Sequence, residues 1–451
     1  MSLPTRTKYL VVGAGPAGLA TSLSLVKHGI DPQDVVVVDA RLRGENTSRA
    51  MVIHAATLEA LDSIGCAQDL AQHGYKGEHF RLQDRSKATI LSASFSYLAS
   101  YTKFPYFLSV PQPVTEHVLE EHVKAAGIRV FRPFKVIGMK ASKSGQGLDV
   151  SFETNDVLTA DIVVGADGSK SVVSSLSFAL VESSQELLVL QIRQIAGIDF
   201  RDTEGRLESE SEEETVQSVV ADGTFSELPD GFDKHTMWAT VSSGGVNLLV
   251  PFTAEDASSL FGTDKVVHRI VFALPSSFAP PPSRPPLEVI QQYLDDYAPF
   301  AFSSNASKNE HPIRLSEVYW SSRFRHRSAV ADTFFKRLES GAIFLVGDAA
   351  HVHSPAGGQG MNLGLRDAIS LGSVLAQQSG KSESDLDHAL AEHAKSRRER
   401  AIKTIGLTKN ILNGATGIME SKFYYWGLVL LGYIPAFRNM FVWRLSGLGN
   451  R

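Results

Sequence analysis

The chain has 451 residues, of which 43% are hydrophobic and 21% charged, and its formal net charge is -5. This composition is typical of globular proteins and excludes disordered or collagen-like chains, and the length predicts two or three structural units. The acidic balance argues against nucleic acid or an anionic membrane as a partner, because proteins that bind either usually carry a basic surface.

The single cysteine, Cys66, cannot form a disulfide within the chain. It lies in an apolar pattern with Leu58, Leu61 and Ile64, which predicts a buried thiol. Because the fold does not depend on an oxidising compartment, we expect the protein to be cytoplasmic.

A strand, a helix and a second strand are predicted at the start of the chain. Residues 8–13 form an apolar run that ends in glycine, 16–28 have helical apolar spacing, and 35–39 are β-branched up to Asp39. This order is a βαβ unit with parallel strands. Similar buried strands are predicted at residues 160–165 and 342–347.

The middle of the chain has a different character. Strands are predicted within 187–195 and 237–252, the acidic stretch 202–214 indicates a solvated loop, and the proline-rich 280–286 indicates an extended connector. After Met361 the pattern is mostly helical. The apolar run 423–434 is shorter than the ~20 residues of a membrane span, so we expect no span. We favour a buried helix there, with attachment to a membrane surface as the alternative.

The first chemical motif is the glycine-rich sequence between the first strand and helix, formed by Gly13, Gly15, Pro16, Ala17 and Gly18. Its glycines permit a tight turn, close approach of a pyrophosphate and close helix packing, and the helix N-terminus favours the phosphates. Asp39, which ends the next strand, favours a ribose with a free 2′-hydroxyl. This motif predicts NAD or FAD and does not choose between them.

The second motif favours FAD. Gly347 and Asp348 follow a predicted strand, and a carboxylate at that position can bind the hydroxyls of a ribityl chain. The glycine-rich stretch 354–362 then leads into a helix whose positive end would stabilise a reduced flavin. A third element, Asp167-Gly168, is by itself only a turn signal.

These three ordered motifs together resemble the class A flavin-dependent aromatic hydroxylases, which are built like para-hydroxybenzoate hydroxylase. The similarity covers residues 5–180 and 320–375 and is greatest to the phenol hydroxylase branch, without its thioredoxin-like C-terminal domain. It implies an α/β fold with a discontinuous Rossmann-like FAD-binding domain, an inserted α+β substrate domain and a C-terminal helical segment. We expect the FAD-binding domain at 1–75, 105–180 and 331–375. The substrate domain is expected at 76–104 and 181–330, and the helical segment at 376–451.

The resemblance also implies roles for individual residues around a non-covalently bound FAD. Asp39 and the adjoining Ala40 would lie at the adenosine ribose, Arg49 and Gln112 near the phosphates or ribityl chain, and the backbone of Val136 at adenine. Asp167 would serve FAD and the NADPH or NADH co-substrate. The remaining cofactor positions are Gly347, Asp348, Pro355, Gly358, Gly360, Met361 and Asn362. The family often has arginine where Ala56 and Ser174 stand here.

The activity implied is that of a monooxygenase that uses NAD(P)H and O₂, through a flavin C4a-hydroperoxide, to hydroxylate a small phenolic or other aromatic substrate. The setting we expect is specialised metabolism. Epoxidation, Baeyer–Villiger ring expansion and oxidative decarboxylation stay open, as does a reductase or oxidase without oxygen insertion. A non-catalytic flavin or dinucleotide sensor is the alternative from another class.

The catalytic candidates are Pro355, beside the flavin ring, and His54, in a segment that borders the active site in this family. Arg193, His235, Trp238 and Tyr319 lie on candidate substrate-domain strands, and a structural role is favoured for each. His351 and His353 resemble a metal pair, but no third ligand has suitable spacing, so we predict no metal and a structural role for His351.

Overall fold

The computed structural model describes residues 2–42, 50–168, 192–202, 205–206, 216–242, 245–274, 279–326, 328–353 and 356–450. Within these ranges the strands are β1 (Arg6–Val12), β2 (Val35–Val38), β3 (Val52–Ile53), β4 (Tyr75–Gly77), β5 (His79–Asp84), β6 (Thr89–Ser94), β7 (Phe107–Ser109), β8 (Arg129–Phe131), β9 (Val136–Ala141), β10 (Leu148–Phe152), β11 (Val157–Gly165), β12 (Phe200–Arg201), β13 (Val216–Phe225), β14 (Thr236–Ser242), β15 (Gly245–Pro251), β16 (His268–Leu274), β17 (Leu315–His326), β18 (Ala329–Ala331), β19 (Phe335–Leu338), β20 (Gly341–Leu345) and β21 (His351–Val352). The helices in the same ranges are α1 (Pro16–Lys27), α2 (Ala55–Ser63), α3 (Ala67–Gln72), α4 (Gln112–Ala125), α5 (Ile192–Ile195), α6 (Ala254–Phe261), α7 (Leu287–Tyr297), α8 (Gln359–Gln377), α9 (Glu383–Glu420), α10 (Lys422–Gly432) and α11 (Pro435–Leu445).

The first large sheet of the described chain has eight strands. Its order is β19-β20-β11-β1-β2-β8, with β10 beside β11 and β9 beside β10. The neighbours β20, β11, β1, β2 and β8 are parallel, and their register pairs Val12 with both Gly165 and Val38, and Gly165 with Leu345. The carboxyl ends of four strands therefore lie side by side, which is where open α/β sheets bind ligands.

Helices cover this sheet, and its central strands are buried. Leu10, Val36 and Val163 are completely inaccessible to solvent, as expected for parallel strands packed on both faces. Helices α1 and α8 approach closely at Gly372. A Cβ at this position would lie only 2.5 Å from the Cβ of Ser24. The Ser24 hydroxyl donates to the carbonyl oxygen of Ile369 at 2.6 Å across this contact.

The second large sheet has seven strands in the described residues, in the order β17-β13-β16-β15-β14-β5-β6. Alternate residues on one face, such as Phe272 and Leu249, pack against Ile290 and Leu294 of α7. The opposite face includes Val250, which packs together with Met51 from the segment before β3. This second face is therefore turned towards the first sheet.

The predicted α/β architecture is confirmed, and the strands 8–13, 35–39, 160–165, 237–252 and 342–347 correspond to β1, β2, β11, the β14–β15 hairpin and β20. Cys66 is buried, as predicted, and burial raises its pKa to about 12. The second sheet takes its strands from 79–94 and 216–326. The domain boundaries themselves stay a prediction.

Two expectations about secondary structure and burial are wrong. The predicted strand 187–195 is helical where it is described, in α5, because the carboxylate of Asp167 accepts the backbone N–H of Ile192 at 2.8 Å and starts a helical turn. The apolar run 423–434 is not a buried helix: α10 has no fully buried side chain. Only one of its faces has a surface to pack against.

His268 of β16 provides a test of acid stability. Its ring lies between Phe225 and Phe232, at centroid distances of 5.6 and 5.5 Å, and the residue is 1% exposed. Burial lowers the pKa of His268 to about 4. The unfolded chain therefore binds more protons between about pH 6.5 and 4, and stability falls as the pH decreases through this window.

We expect His268→Phe to remove this pH dependence. Between pH 7 and 4 the free energy of unfolding should therefore fall by up to about 3 kcal/mol less in the variant than in the wild type. Urea unfolding at several pH values measures the difference. His311→Phe, at an exposed position, is the control and should leave the pH profile unchanged. Parallel pH profiles for wild type and His268→Phe would contradict the assignment.

Candidate functional site

The glycine-rich loop between β1 and α1 lies at the shared carboxyl edge of the first sheet. Gly13 has φ +110°, and a Cβ there would lie 2.3 Å from the carbonyl oxygen of Ala166. A Cβ at Gly18 would lie 1.8 Å from the carbonyl oxygen of Gly13. Gly15 differs, since its Cβ would have no atom of the chain within 4 Å. The first and third glycines therefore serve packing, and the second borders open space at the N-terminus of α1, where Pro16 and Ala17 begin the helix.

Asp39 holds this loop from the end of β2. Its Oδ2 accepts the N–H of Ala14 at 2.7 Å, and its Oδ1 accepts the N–H of Arg41 at 2.8 Å. The exposed Ala40 lies between these contacts. Each carboxylate oxygen has a second acceptor position, so Asp39 can orient the loop and still accept a ribose hydroxyl.

The predicted adenine side lies beside Asp39. The backbone N–H of Asp39 donates to the carbonyl oxygen of Phe131 at 3.0 Å, and that of Phe134 donates to the carbonyl oxygen of Asp39 at 2.7 Å. Val136 begins β9 immediately after this segment and is buried. The structure thus brings the predicted ribose and adenine positions together.

Gln112 begins α4, and its Nε2 donates to Glu116 at 2.8 Å. Burial raises the pKa of Glu116. Further along the helix, Glu120 forms an ion pair with Arg132 at 3.1 Å. Arg132 also donates to the carbonyl oxygen of Ala14 at 3.5 Å, so this ion pair links α4 to the first glycine loop.

Asp167 follows β11 at the same edge of the sheet. Its Oδ2 accepts the N–H of Ile192, whereas its Oδ1 is shielded from solvent and has no hydrogen-bond partner among the described residues. Burial raises the pKa of Asp167 to about 6. An unsatisfied buried oxygen is costly, and a ligand hydroxyl or N–H would satisfy it.

The loop after β20 contacts the start of α1. Gly347 has φ +60°, and its Cβ would lie 3.0 Å from the Cβ of Ala17. A Cβ at Gly364 of α8 would in turn lie 3.0 Å from the Cα of Gly347. Asp348 is exposed beside this contact. The two motifs, which are far apart in sequence, therefore border one continuous surface.

The second glycine-rich stretch ends in α8. Gly357 and Gly358 both have positive φ values, and Gly358 caps the helix. The backbone N–H groups at the start of the helix, which include those of Gly360 and Met361, have no i−4 acceptor within the helix. They give this end of α8 a partial positive charge, which suits an electron-rich ring.

The side chain of Asn362 is fully buried, and both of its polar atoms form hydrogen bonds within the protein. Its Nδ2 donates to the carbonyl oxygens of Val52 and Gly358, at 2.7 and 2.6 Å, and its Oδ1 accepts the N–H of His54 at 2.8 Å. Asn362 thus holds the glycine loop against β3. Its backbone carbonyl accepts from Thr57 and Arg366, both at 3.3 Å, so the cofactor contact that the family resemblance implies for Asn362 stays a prediction.

His54 supports the same loop. It is buried, and its Nε2 donates to the carbonyl oxygen of Gly357 at 2.8 Å, whereas its Nδ1 has no partner in the described part of the chain. Burial lowers the pKa of His54 to about 4, so the ring is neutral at pH 7. The structure shows a positioning contact for this residue, and its catalytic role stays a prediction. Arg49, Ser174 and Pro355 lie outside the described residues.

We expect His54→Leu to weaken FAD binding about tenfold or more, because it leaves the Gly357 carbonyl unpaired and loosens the loop. His54→Gln carries an amide N–H near the position of Nε2 and should restore most of the affinity. Fluorescence titration of the apoprotein with FAD measures both. Equal affinities for the Leu and Gln variants would show that the Gly357 contact does not position the loop.

The sequence favours structural roles for Arg193 and His351, and the structure identifies their partners. Arg193 is buried in α5 rather than on a strand, and its guanidinium donates to the carbonyl oxygen of Ala349 at 3.0 Å. His351 lies 2.6 Å from Asp367, which also accepts from Arg397 of α9. The sequence signal for this cluster is Asp367, a charged residue at an otherwise apolar position of α8.

The other candidates lie in different places. Trp238 stacks under Arg81 on the α7 side of the second sheet, and His235 lies beside Tyr75. Tyr319 donates to Glu317 and packs with Met51 and Val250 on the face turned away from α7. In the described ranges there is no group of three histidine, cysteine or acidic residues arranged to hold a metal ion. No helix in those ranges is both long and apolar enough to cross a bilayer.

The fold and the converging loops define a class of protein: FAD-binding proteins with the para-hydroxybenzoate hydroxylase type of fold. The structure superposes on p-nitrophenol 4-monooxygenase PnpA from Pseudomonas putida DLL-E4 with a TM-score of 0.72 and 18% identity, covering 99% of this chain and 100% of that one. This similarity confirms the fold. A model of the FAD binding domain family matches residues 6–240 and 303–405, and the chain therefore belongs to that family.

Curated relatives agree with this assignment. The chain is 27% identical over 374 residues to the uncharacterized aromatic compound monooxygenase YhjG of Bacillus subtilis, covering 81% of this chain and 61% of YhjG. It is 28% identical over 389 residues to 6-hydroxy-3-succinoylpyridine 3-monooxygenase HspB of Pseudomonas putida, covering 85% of this chain and 83% of HspB. The chain thus spans less than two thirds of the length of YhjG. The FAD cofactor and the family predicted from the sequence are confirmed.

Proposed function

We propose that this protein is a monooxygenase that uses FAD, NADPH or NADH, and O₂ to hydroxylate a small aromatic substrate. The observation that carries the proposal is the meeting of the two glycine loops at Gly347 and Ala17, on the sheet edge that also holds Asp39 and Asp167. The named activities of the relatives support the type of reaction.

The residues present fit FAD. The open space beside Gly15 suits a pyrophosphate, the unsatisfied Oδ1 of Asp167 suits a donor from the cofactor, and the exposed Asp348 suits the ribityl hydroxyls. When bound, FAD supplies the redox chemistry that connects NAD(P)H to O₂. The chain's own part is to bind and orient the cofactor and substrate and to exclude water.

The substrate wall is proposed on the face of the second sheet that is turned away from α7. On β15 and β16 this face presents Leu248, Val271 and Ala273, all partly accessible. The ion pair between Arg269 and Asp222 lies on the same face, with N–O distances of 2.8 and 2.7 Å. Because that pair is internally neutral, the wall favours an apolar aromatic molecule over a highly charged one.

Finer features belong to the same proposal. The FAD-binding domain would comprise 1–75, 105–180 and 331–375, the substrate domain 76–104 and 181–330, and the helical segment 376–451. A cytoplasmic location is supported by the supply of NAD(P)H there and by the single buried Cys66. Specialised metabolism is the proposed setting.

The decisive experiment begins with the visible spectrum of the purified protein. NADH and NADPH oxidation is then followed against phenols, benzoates and indoles, and the product of the stimulating substrate is formed under ¹⁸O₂. One labelled oxygen in the product supports the proposal. Stimulated turnover without label would assign a reductase or oxidase, and a protein that does not take up FAD would overturn the cofactor assignment as well.

Asp348→Ala should remove FAD or weaken its binding severely, because it deletes the carboxylate proposed to bind the ribityl chain. His351→Ala, three residues later, should retain FAD and mainly lower the unfolding temperature, since His351 contacts Asp367 in the interior. Flavin occupancy after gel filtration and thermal unfolding measure the two effects. Full occupancy in Asp348→Ala would refute the proposed role.

A further inference from the structure

The surface of α10 is the most unusual part of the exterior. Phe423, Trp426, Leu430 and Tyr433 are 92%, 61%, 67% and 77% exposed. They recur at helical spacing and form one outward stripe, called here the α10 surface. Elsewhere in the described residues, large exposed apolar side chains such as Ile137, Val157 and Val266 are scattered along the chain, which is normal for a soluble surface.

The opposite side of α10 is firmly packed, so the outward direction of the stripe is fixed. Leu428 and Val429 pack against Ile90 and Val241 of the second sheet. A Cβ at Gly432 would lie 2.6 Å from the carbonyl oxygen of Ile90, so the helix backbone is in close contact with the strand. The apolar character of the outward stripe is therefore not needed to bury α10 in the fold.

The charged residues of the C-terminal helices α10 and α11 are all basic. Residues 421–450 contain Lys422, Arg438 and Arg444 and no aspartate or glutamate, in a chain whose net charge is -5. An aromatic rim adjoins them, since the ring of Trp443 on α11 lies 5.0 Å from that of Tyr101. Apolar side chains flanked by tryptophan, tyrosine and basic residues are the composition of a helix that lies in a membrane interface.

We propose that the α10 surface docks on the face of an anionic lipid bilayer, with the helix lying in the interfacial plane and not crossing it. A second copy of the chain is the competing occupant. Symmetric contact through this surface would place Lys422, Arg438 and Arg444 opposite the same cations, with no acidic residue of 421–450 to pair with them. Anionic lipid headgroups complement both the charge and the apolar stripe.

The test uses the full chain with FAD bound and sedimentation with vesicles of pure phosphatidylcholine, or of phosphatidylcholine with one third phosphatidylserine. We expect binding that is stronger on the anionic vesicles. Phe423→Ser/Trp426→Ser should reduce partitioning about tenfold or more, because two aromatic side chains no longer leave water. Val157→Ser/Val266→Ser, at exposed apolar positions elsewhere, is the matched control and should bind as the wild type.

A second measurement does not depend on the stability of the double variant. Brominated phosphatidylcholine should quench tryptophan fluorescence in the wild type, and much of this quenching should be lost in Trp426→Phe, which keeps the helix apolar. Three results would overturn the proposal: no vesicle binding by the wild type, unchanged binding by the serine variant, or a wild-type dimer that the serine variant dissociates in the absence of vesicle binding. None of these results bears on FAD binding or on oxygen insertion, so the proposed function is tested independently.

Discussion

Gly18→Ala is expected to prevent stable folding, whereas Gly15→Ala should fold and fail to hold FAD. At Gly18 a methyl group would lie 1.8 Å from the carbonyl oxygen of Gly13, which is backbone and cannot rotate away. Relief requires that α1 move away from β1, at a cost of roughly 3 kcal/mol or more. At Gly15 a methyl group meets no atom of the chain within 4 Å, and the backbone is extended with φ -80°.

The apoprotein of Gly15→Ala should therefore match the wild type in unfolding free energy to within about 0.5 kcal/mol. Its FAD affinity should fall roughly 100-fold, because the methyl group occupies space assigned to the pyrophosphate. Gly427→Ala, which also has open space but lies on α10, is the control for the FAD affinity. Wild-type FAD affinity in Gly15→Ala would show that the phosphates pass elsewhere.

Asp367→Asn is expected to destabilise the folded protein by about 3–5 kcal/mol, because it leaves the buried Arg397 without its counter-charge. Asp367 is 2% exposed and accepts from His351 at 2.6 Å and from Arg397 at 2.5 Å. Arg366 is also buried nearby, and burial lowers its pKa to about 10. Loss of the one central carboxylate therefore leaves an excess of positive charge in the interior.

The same carboxylate predicts a second step of acid sensitivity. Burial alone would raise the pKa of Asp367, but the ion pair with Arg397 and the hydrogen bond from His351 outweigh it and hold the pKa below its usual value. Its contribution is present above the unfolded pKa of about 3.9 and is lost as the pH falls through the lower folded value. This window lies below the one assigned to His268.

Urea unfolding of Asp367→Asn between pH 7 and 3 measures both effects. The deficit relative to the wild type should be largest at neutral pH and should shrink at the acidic end. Asp264→Asn, at an exposed position, should cost less than about 0.5 kcal/mol throughout. A constant deficit at all pH values would mean that the loss comes from packing and not from charge.

The nucleotide-binding half of the fold could be predicted because its signals are local. The glycine spacing, the β-branched run before Asp39 and the glycine that ends α1 act within about thirty residues, and the observed β1, α1 and β2 differ from the prediction by one or two residues at their ends. Glycine at positions 13 and 18 is required by backbone contacts, so the motif in the sequence directly reflects geometry.

Tertiary contacts explain the failures. The helical start of α5 depends on the carboxylate of Asp167, which no local pattern around Ile192 reveals. Apolar composition predicted that 423–434 is buried, but composition does not state how much partner surface the fold provides, and α10 has it on one side only. The cluster of His351, Asp367 and Arg397 joins three separate segments, so its members looked unrelated in the sequence.

The discontinuity of the first sheet has a consequence for the order of events on the ribosome. The carboxyl-terminal half of β11 has no neighbour on its outer side until β20 (Gly341–Leu345) has been synthesised, and the contact between His54 and Asn362 spans 308 positions. A nascent chain therefore displays the first glycine loop long before α8 can close the other side of the cavity. Cofactor capture must come late in translation, and ribosome-stalled chains that end before residue 345 should emerge colourless.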